Sequence, residues 1–464
     1  MSWHFELRFE EVLRIERDLK AHFSRGPVWR FGNLVGCGLA GAVVRIDATR
    51  SVWLYDDDKA FDTSRKWFQN YKKICLKRAI SWKGREELSN EIRWLERTRG
   101  AEHIVNMIAG RDDRKPRPLR PQRPPGPVKA AIRRGMRRIR QYQTRLLREV
   151  PGWGILVDYF MAPVGSAIWD WVIDAMSHVA VGLALDDPLS IDEELRLDLL
   201  AGQPVLVTEY LENGTVAKLI ERIANTNEYV PDRLLWSFML CLVRACIGLA
   251  YPIHLEAGDP TELETLPTDM DLYPPGDLRH GDINTRNIGI GQAGGRYFEH
   301  IHTPVVKLLD LGNATEQGKG NAVAENLEGI AKAMILLHEK KKHHLFTGVD
   351  YNGVKCDTGK ITSGYELNEE LIYCFASCVT ADPNLRPSLQ DMLMRVQATV
   401  LETTPAEWSR SPWETDESLQ RFCQRYLYDA DTGRGDWDDP IQYGTTNKTA
   451  SSNLFSPSGG SMFH

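Results

Sequence analysis

Three polar side chains in the second half of the sequence have the types and spacing that group-transfer chemistry requires. Residues 280–287 read HGDINTRN, so Asp282 and Asn287 stand five positions apart. In the pattern HxDxxxxN the aspartate orients a hydroxyl and accepts its proton, and the asparagine reaches a metal ion. Asp310 follows the apolar run VVKLL and begins a DLG triplet. Carboxylate oxygens are ligands that Mg²⁺ prefers, so these residues predict a magnesium-dependent transfer site.

A lysine far upstream has the context of a phosphate-binding residue. Residues 74–77, ICLK, alternate as a strand does, which puts Cys75 and Lys77 on the same face. A lysine held in a cleft needs a carboxylate that keeps it charged and oriented. A helix predicted over about 83–99 supplies Glu91 for this role, with Glu87 as the alternative.

A glycine-rich segment precedes the lysine. Gly36, Gly38 and Gly41, with Val43, fit the pattern GxGxxGxV. Glycines allow backbone N–H groups to approach phosphate oxygens. A dinucleotide-binding fold would need a helix directly afterwards. Residues 43–46, VVRI, instead favour a strand, so we predict strand, loop and strand.

Taken in order, these segments resemble the eukaryotic protein kinase superfamily over about residues 30–400. Residues 208–214, TEYLENG, are similar to a kinase gatekeeper and hinge, and residues 382–388, DPNLRPS, match a late DPxxRP element. Residues 158–165 are a weaker hinge candidate. The resemblance implies an α+β, bilobal protein kinase-like fold, in which a small antiparallel β-sheet N-lobe carries the αC helix and the C-lobe is mainly helical.

The resemblance also implies an activity and a role for each residue. ATP and Mg²⁺ would bind, and the γ-phosphoryl group would pass to a protein hydroxyl, most often of Ser or Thr. The implied catalytic residues are Asp282, Lys77, Glu91 and Arg286. The implied nucleotide-binding residues are Gly36, Gly38, Gly41, Val43, Cys75, Lys77, Glu209 and Leu211. The implied metal ligands are Asn287 and Asp310.

Three positions near the predicted transfer site depart from the family pattern. Gly281 replaces an arginine that usually pairs with a phosphorylated activation loop, so activation by such a phosphate is not expected. Asn284 replaces a lysine, and Arg286 could supply the missing positive charge near the γ-phosphate. Gly289 stands where a large apolar residue usually forms the floor of the adenine pocket, which predicts weaker ATP binding.

The segment after Asp310 also departs from the pattern. About fifteen residues lead from Asp310 to a helix predicted over 326–337, and no APE triplet is present. Arg386 therefore loses its usual partner, and Glu325 is the candidate replacement. Two other interpretations stay open. The HGD triplet and the short segment resemble aminoglycoside and choline phosphotransferases, which act on small molecules, and a pseudokinase would act as a binding module.

The chain divides into four predicted regions. Residues 1–29 form an N-terminal helical extension, residues 30–213 the N-lobe, residues 214–400 the C-lobe, and residues 401–464 a C-terminal extension with a disordered end. The periodicity of residues 9–23 puts Phe9, Val12, Leu13, Leu19 and Phe23 on one helical face.

An insertion within the N-lobe, at about 111–150, is strongly basic. It holds fourteen Lys or Arg and three Asp or Glu, a net charge of +11. An acidic partner, either nucleic acid or anionic lipid, would complement this charge. A solvated surface insertion without a partner is the alternative.

Composition and charge place few limits on the function. The net charge is −6, and none of the eight cysteines forms a CxxC pair, so no zinc site is expected. Residues 165–185 are the most apolar membrane candidate, but they carry two aspartates and a histidine, so no transmembrane segment is expected. The start of the chain does not resemble a signal peptide, and we expect an intracellular protein of the cytoplasm, the nucleus or both.

Overall fold

The computed structural model describes most of residues 2–428. The exceptions are residues 25–27, 38–40, 50–71, 113–194, 201, 227, 254, 256–259, 294–296, 317, 319, 343–347, 352–353, 357–366 and 409–410, and only the backbone is described for residues 2–9 and 349. Gly38, the basic insertion, the weaker hinge candidate, the membrane candidate and the C-terminal end therefore lie outside the described residues.

The described elements fall into a strand-rich first part and a helix-rich second part. The helices are α1 (Ser2–Phe23), α2 (Trp82–Arg97), α3 (Val216–Ile223), α4 (Asp232–Ala250), α5 (Ala322–His338), α6 (Glu369–Cys378), α7 (Leu389–Glu402), α8 (Pro405–Trp408) and α9 (Asp416–Cys423). The strands are β1 (Trp29–Cys37), β2 (Gly41–Ala48), β3 (Lys73–Ala79), β4 (Met107–Arg111), β5 (Val205–Glu209), β6 (Leu278–Arg279), β7 (Ile288–Ile290), β8 (Val306–Leu308), β9 (Thr315–Glu316), β10 (Val349–Tyr351) and β11 (Val354–Cys356).

A five-stranded antiparallel sheet forms the first part, in the order β1-β2-β3-β5-β4. Val43 pairs with Lys77 across β2 and β3, and Cys75 pairs with Thr208 across β3 and β5. Because β4 and β5 are neighbours in the sheet, the chain leaves the sheet after Arg111 and returns to the same edge. The basic insertion is thus attached between two adjacent strands.

Helix α1 covers one face of this sheet. Val12, Ile15, Leu19 and Phe23 are buried in a cluster with residues of β1 to β5. These positions recur every three or four residues, which is the period of a helix face. We expected Leu13 on this face, which was wrong, because Leu13 is 39% exposed and Ile15 takes the inner position.

Helix α2 packs on the other side, where the sheet meets the helix-rich part. Ser81 caps its first turn, since the Ser81 hydroxyl accepts a hydrogen bond from the Gly84 N–H. Leu88, Ile92 and Leu95 are buried in the larger hydrophobic cluster. This burial orients the helix so that Glu91, also buried, faces the sheet residues around Lys77.

Helix α4 forms the centre of the helix-rich part. It is long and apolar enough to pass a length-and-composition test for a membrane span, but 94% of the tested window is buried inside the protein. It packs against α5 and α7. Such burial on all sides is typical of the core helix of a globular domain, so the helix is weak evidence for a membrane segment.

The ion pair of Arg386 differs from our expectation. Arg386 lies 2.8 Å from Glu328 on α5, whereas Glu325 lies 2.7 Å from Arg279 on β6. Glu325 and Glu328 are three positions apart on one helix face, and the strand β6 occupies the position next to Glu325. The fold as described is a mixed α+β structure with a small antiparallel sheet and several helices.

Candidate functional site

Lys77 is the centre of the candidate site. Its Nζ lies 2.7 Å from Glu91 Oε2 on α2 and 2.9 Å from Asp310 Oδ1 after β8. Burial opposes the charge on Lys77, but Glu91 and Asp310 outweigh burial and raise the pKa of Lys77. Burial raises the pKa of Glu91 to about 7, and the charge of Lys77 limits that rise. Lys77 therefore pairs with Glu91 rather than with Glu87.

Asp310 has an unusual backbone. Its φ of 60° lies in the left-handed region, which residues other than glycine rarely adopt. Lys77 and the Gly312 N–H both approach Oδ1, at 2.9 and 3.4 Å. Burial disfavours the Asp310 carboxylate, but Lys77 outweighs burial and lowers the pKa of Asp310. A strained residue fixed as an anion is the kind of feature that clusters at ligand sites.

Two amide side chains hold the Asp282 carboxylate. Asn284 Nδ2 donates to Asp282 Oδ1 at 2.8 Å, and Asn287 Nδ2 donates to Asp282 Oδ2 at 3.0 Å. Asn287 also donates to the Asp282 carbonyl at 2.9 Å, which closes the loop on itself. Both carboxylate oxygens therefore have fixed directions, and Asn284, which replaces the expected lysine, orients Asp282.

His280 joins this loop to the segment before Asp310. His280 Nε2 lies 2.9 Å from the Leu309 carbonyl, and the Asp282 N–H donates to His280 Nδ1 at 3.3 Å. Burial lowers the pKa of His280, so the ring is neutral and carries its proton on Nε2. The Leu309 N–H in turn donates to the Asn287 carbonyl at 2.9 Å. These bonds bring Asp282, Asn287 and Asp310 together from two separate segments.

Helix α2 is tied to the chain after Asp310. Asn90 Nδ2 donates to the carbonyls of Gly312 and Ala314, at 2.9 and 2.8 Å, and Trp94 Nε1 donates to Ala314 at 2.9 Å. These bonds fix the distance between Glu91 and Asp310. We did not predict roles for Asn90 and Trp94. Their position one residue before and three after Glu91 is the sequence signal that could have indicated them.

Gly281 is required by the geometry of its loop. Its φ is +81°, and a Cβ atom there would lie 2.5 Å from the Asn313 carbonyl oxygen. At this position the backbones of the two loops come so close that no side chain fits between them. An arginine would not fit at position 281, because its Cβ atom would clash with the Asn313 carbonyl oxygen.

The strand residues assigned to nucleotide binding lie on the site side of the sheet. Val43 pairs with Lys77, and Cys75 alternates with the fully buried Ile74 and Leu76. Burial raises the pKa of Cys75 to about 12, so it is a neutral thiol. An apolar, neutral surface of this kind suits an aromatic base.

The hinge segment begins at the end of β5. The Glu209 side chain lies 2.9 Å from Lys307, and its N–H donates to the Asn106 carbonyl at 3.1 Å. The side chain of Leu211 fills the space beside Gly289, with Leu309 also close. Gly289 has no side chain that could form an apolar surface, and Leu211 supplies that surface instead. The sequence pattern did not indicate this role of Leu211.

Two of the assigned residues, Gly36 and Arg286, are less constrained than the rest. No atom of a described residue lies within 4 Å of the Cβ position of Gly36. A Cβ at Gly41, by contrast, would lie 2.5 Å from the Arg78 carbonyl oxygen, so Gly41 permits the pairing of β2 with β3. Arg286 is exposed, and its guanidinium forms no ion pair with any described residue. Its charge is free to meet an anion.

Comparison with known proteins adds no identity. No protein-family model matches this sequence, and no curated protein matches it. The function therefore has to be argued from the geometry of the site.

Proposed function

We propose that this chain is an ATP-dependent protein kinase with a bilobal kinase fold, which transfers the γ-phosphoryl group of ATP to a Ser or Thr hydroxyl of a protein. The observation that carries the proposal is the contact of Lys77 with both Glu91 and Asp310. Lys77 and Asp310 are 233 positions apart in sequence, so only the fold brings them together. The neighbouring carboxylate of Asp282 supplies the base that such a transfer needs.

The donor atoms of the site fit a magnesium nucleotide. Among the described residues, no group donates a hydrogen bond to Asp310 Oδ2 or to Asn287 Oδ1. The Asp310 side chain is also 37% exposed, which leaves it accessible from solvent. Both atoms are hard oxygen ligands of the kind that Mg²⁺ takes from proteins. Asp310 and Asn287 would therefore hold the metal.

Each residue then has a definite task in the transfer. ATP would supply the phosphoryl group, and the bound magnesium ion would neutralise the negative charge of the phosphates. Lys77, kept cationic by Glu91, orients the α- and β-phosphates, and Arg286 offers a second positive charge. Asp282 orients the acceptor hydroxyl and takes its proton. As the hydroxyl oxygen forms a bond to the γ-phosphorus, the bond from that phosphorus to the bridging oxygen breaks and ADP leaves.

A small-molecule acceptor is the second candidate. Only residues 311–321 separate Asp310 from α5, and described residues on both sides of positions 317 and 319 are hydrogen-bonded to the neighbouring chain. The β9 strand in it pairs with β6, and the Asp277 carboxylate accepts hydrogen bonds from the N–H groups of Gly320 and Ala322, both at 3.1 Å. Protein kinases usually bind their peptide along a longer segment, so a short one favours a compact acceptor.

A transfer assay with γ-labelled ATP and magnesium tests the proposal. The acceptors are the protein itself, generic protein substrates and a pool of small hydroxylated and aminated molecules. Asp282→Asn is the matched control, because the amide keeps the shape of the side chain and removes the base. We expect label on protein Ser or Thr with wild type alone.

The other outcomes are equally informative. Label on a small molecule would replace the protein kinase proposal with the second candidate. Equal labelling by Asp282→Asn would show that the transfer does not use this site. Absence of any label, together with ATP binding in a separate titration, would leave a pseudokinase that acts as a binding module.

A further inference from the structure

A second group of chemically active side chains lies in the helix-rich part. His103, Cys241 and His300 are buried together, with exposed fractions of 0, 0 and 1%. One ligand atom from each lies within 4.8 Å of the other two. His103 follows α2, Cys241 belongs to α4, and His300 ends a 3₁₀ turn before β8. None of them takes part in the site described above.

The spacing of these atoms is close to that of a metal site. The Nε2 atoms of His103 and His300 are 3.1 Å apart, and Cys241 Sγ lies 3.9 Å from His300 Nδ1. Two nitrogens bound to one tetrahedral zinc ion at about 2.0–2.1 Å lie roughly 3.3 Å apart. An ion between the two rings would need the Nε2 atoms to move only slightly apart, whereas Cys241 Sγ, which now contacts the other nitrogen of His300, would have to turn toward the ion.

A buried carboxylate orients the first histidine. Glu264, 0% exposed, lies 2.7 Å from His103 Nδ1 through one oxygen and accepts the His103 backbone N–H at 2.7 Å through the other. This contact directs Nε2 of His103 toward His300 and Cys241. A carboxylate on the outer nitrogen of a metal-bound histidine is the usual arrangement in zinc proteins, where it fixes the ring and raises its basicity.

A buried arginine holds the remaining parts of the group in place. Arg244 on α4 forms an ion pair with Glu299, the residue before His300, and Arg244 Nε lies 2.7 Å from Glu299 Oε2. Arg244 Nη1 also donates to the Glu264 carbonyl at 2.6 Å. One side chain thus connects the helix of Cys241 with the segments that carry Glu264 and His300.

We propose that His103, Cys241 and His300 form a buried Zn²⁺ site that stabilises the fold. Imidazole and thiolate are the ligands that zinc prefers, and three protein ligands leave a fourth position for solvent.

The ion would stiffen the chain near Asp310. The Leu308 N–H donates to the His103 carbonyl at 2.9 Å, and the Val105 N–H donates to the Leu308 carbonyl at 2.9 Å. A zinc ion on His103 would therefore fix the strand β8, two residues before Asp310. Sequence patterns did not indicate this group, since the three ligands come from distant segments and no CxxC spacing is present.

Metal analysis of untagged full-length protein tests the site. The protein is purified with a reducing agent, incubated with Zn²⁺, dialysed and measured by elemental analysis and native mass spectrometry. Cys241→Ala removes the proposed ligand, and Cys246→Ala, five residues on and also 0% exposed, is the matched control. We expect one zinc per chain in wild type and in Cys246→Ala, and loss of this zinc in Cys241→Ala.

Thermal unfolding with a zinc chelator provides a second readout. The chelator should lower the Tm of wild type and of Cys246→Ala, because an ion that binds only the folded state stabilises it. If Cys241→Ala does not fold, Co²⁺ replaces Zn²⁺ in wild type, and a thiolate-to-cobalt charge-transfer band supports the site. Zinc-free wild type after incubation, zinc retained in Cys241→Ala, or cobalt bound without that band would each overturn the proposal.

Discussion

At the scale of single residues, Asp310 combines strain with an open ligand atom. A left-handed non-glycine residue costs about 1–3 kcal/mol and persists only where its surroundings fix it. Here Lys77 and the Gly312 N–H hold one oxygen, and the other faces no described donor. The backbone strain thus keeps a carboxylate oxygen available next to the charged lysine.

Removal of either charge at this contact should stop transfer without unfolding the protein. Lys77→Met deletes the cation that we propose orients phosphate, and Asp310→Asn weakens the proposed metal ligand. We expect loss of transfer by at least about 100-fold for each variant. Circular dichroism and thermal unfolding check that the fold is retained. Full activity in either variant would show that another lysine or aspartate performs the role.

Arg286→Ala should lower turnover more than nucleotide affinity. The exposed guanidinium is free to meet charge that develops on the transferred group, which affects the transition state more than the bound nucleotide. We expect a reduction of kcat of about 10-fold or more with a small change in the Kd for ATP. Steady-state kinetics and a binding titration separate the two effects. A change confined to affinity would contradict the assignment.

Gly281→Ala should distort the two loops that meet at the site. The positive φ and the Asn313 carbonyl, 2.5 Å from the new Cβ, both oppose the substitution. We expect destabilisation of about 1–3 kcal/mol and reduced transfer. Gly202→Ala is the matched control, because Gly202 has a φ of +93° but no atom of a described residue within 4 Å of its Cβ position.

The comparison of Gly281→Ala with Gly202→Ala separates two effects: the cost of a positive φ, which both variants share, and the steric clash with Asn313, which only Gly281→Ala has. Chemical denaturation should give a smaller loss for Gly202→Ala, and transfer should be unaffected by it. Equal losses in stability and activity for both variants would mean that the contact with Asn313 is unimportant.

At the scale of elements, α1 covers the second face of the five-stranded sheet, so that both faces are covered. Its buried side chains cover the face opposite to the candidate site. A strand layer with both faces covered holds β3 firmly, and Lys77 with it. The N-terminal helix therefore belongs to the structural support of the site even though it lies on the far side of the sheet.

Leu19→Ala should destabilise the protein through this helix. Leu19 is 0% exposed, and removal of a buried leucine side chain costs about 2–5 kcal/mol. Leu13→Ala is the control on the same helix, because Leu13 is 39% exposed and should change stability by less than about 0.5 kcal/mol. Urea unfolding measures both. Similar values for the two variants would show that α1 does not pack as described.

At the scale of the whole molecule, the C-terminal extension is bound to the central helix. Glu414 accepts hydrogen bonds from the N–H groups of Asp232 and Arg233, at 2.8 and 3.0 Å. Arg233 is 181 positions away in sequence, and both residues belong to the first turn of α4. The carboxylate thus caps the first turn of the core helix and joins two ends of the structure.

Stability should depend on pH through Glu414. Burial raises the pKa of Glu414 from 4.5 to about 7, and the neighbouring Asp232 adds to this rise. Because the folded state binds the proton more tightly, its free energy of unfolding falls as pH rises from about 4.5 to about 7. The effect is on the order of 3 kcal/mol at most.

Thermal unfolding at several pH values isolates this contribution. Glu414→Gln keeps an oxygen for the helix N–H groups and removes the titration, so its pH dependence should be flatter than that of wild type. Glu417→Gln is the control, since Glu417 is exposed. A wild-type slope that Glu414→Gln leaves unchanged would show that another group titrates in this range.

The sequence by itself determined the residues of the candidate site and the local elements that carry them. Strand alternation put Cys75 and Lys77 on one face, the helix period identified α2 and α4, and the spacing of Asp282 and Asn287 defined the loop between them. These features depend on neighbours within a few positions, so periodicity and motif spacing are sufficient to predict them.

Only the tertiary structure decided which distant residues meet. Leu211 fills the space at Gly289, and Glu328 rather than Glu325 lies beside Arg386. Both contacts depend on packing that no local pattern records. The same holds for His103, Cys241 and His300, which converge from three segments. Contacts between distant segments are chosen by the packing of the whole core, because each depends on how all the elements between its partners are arranged.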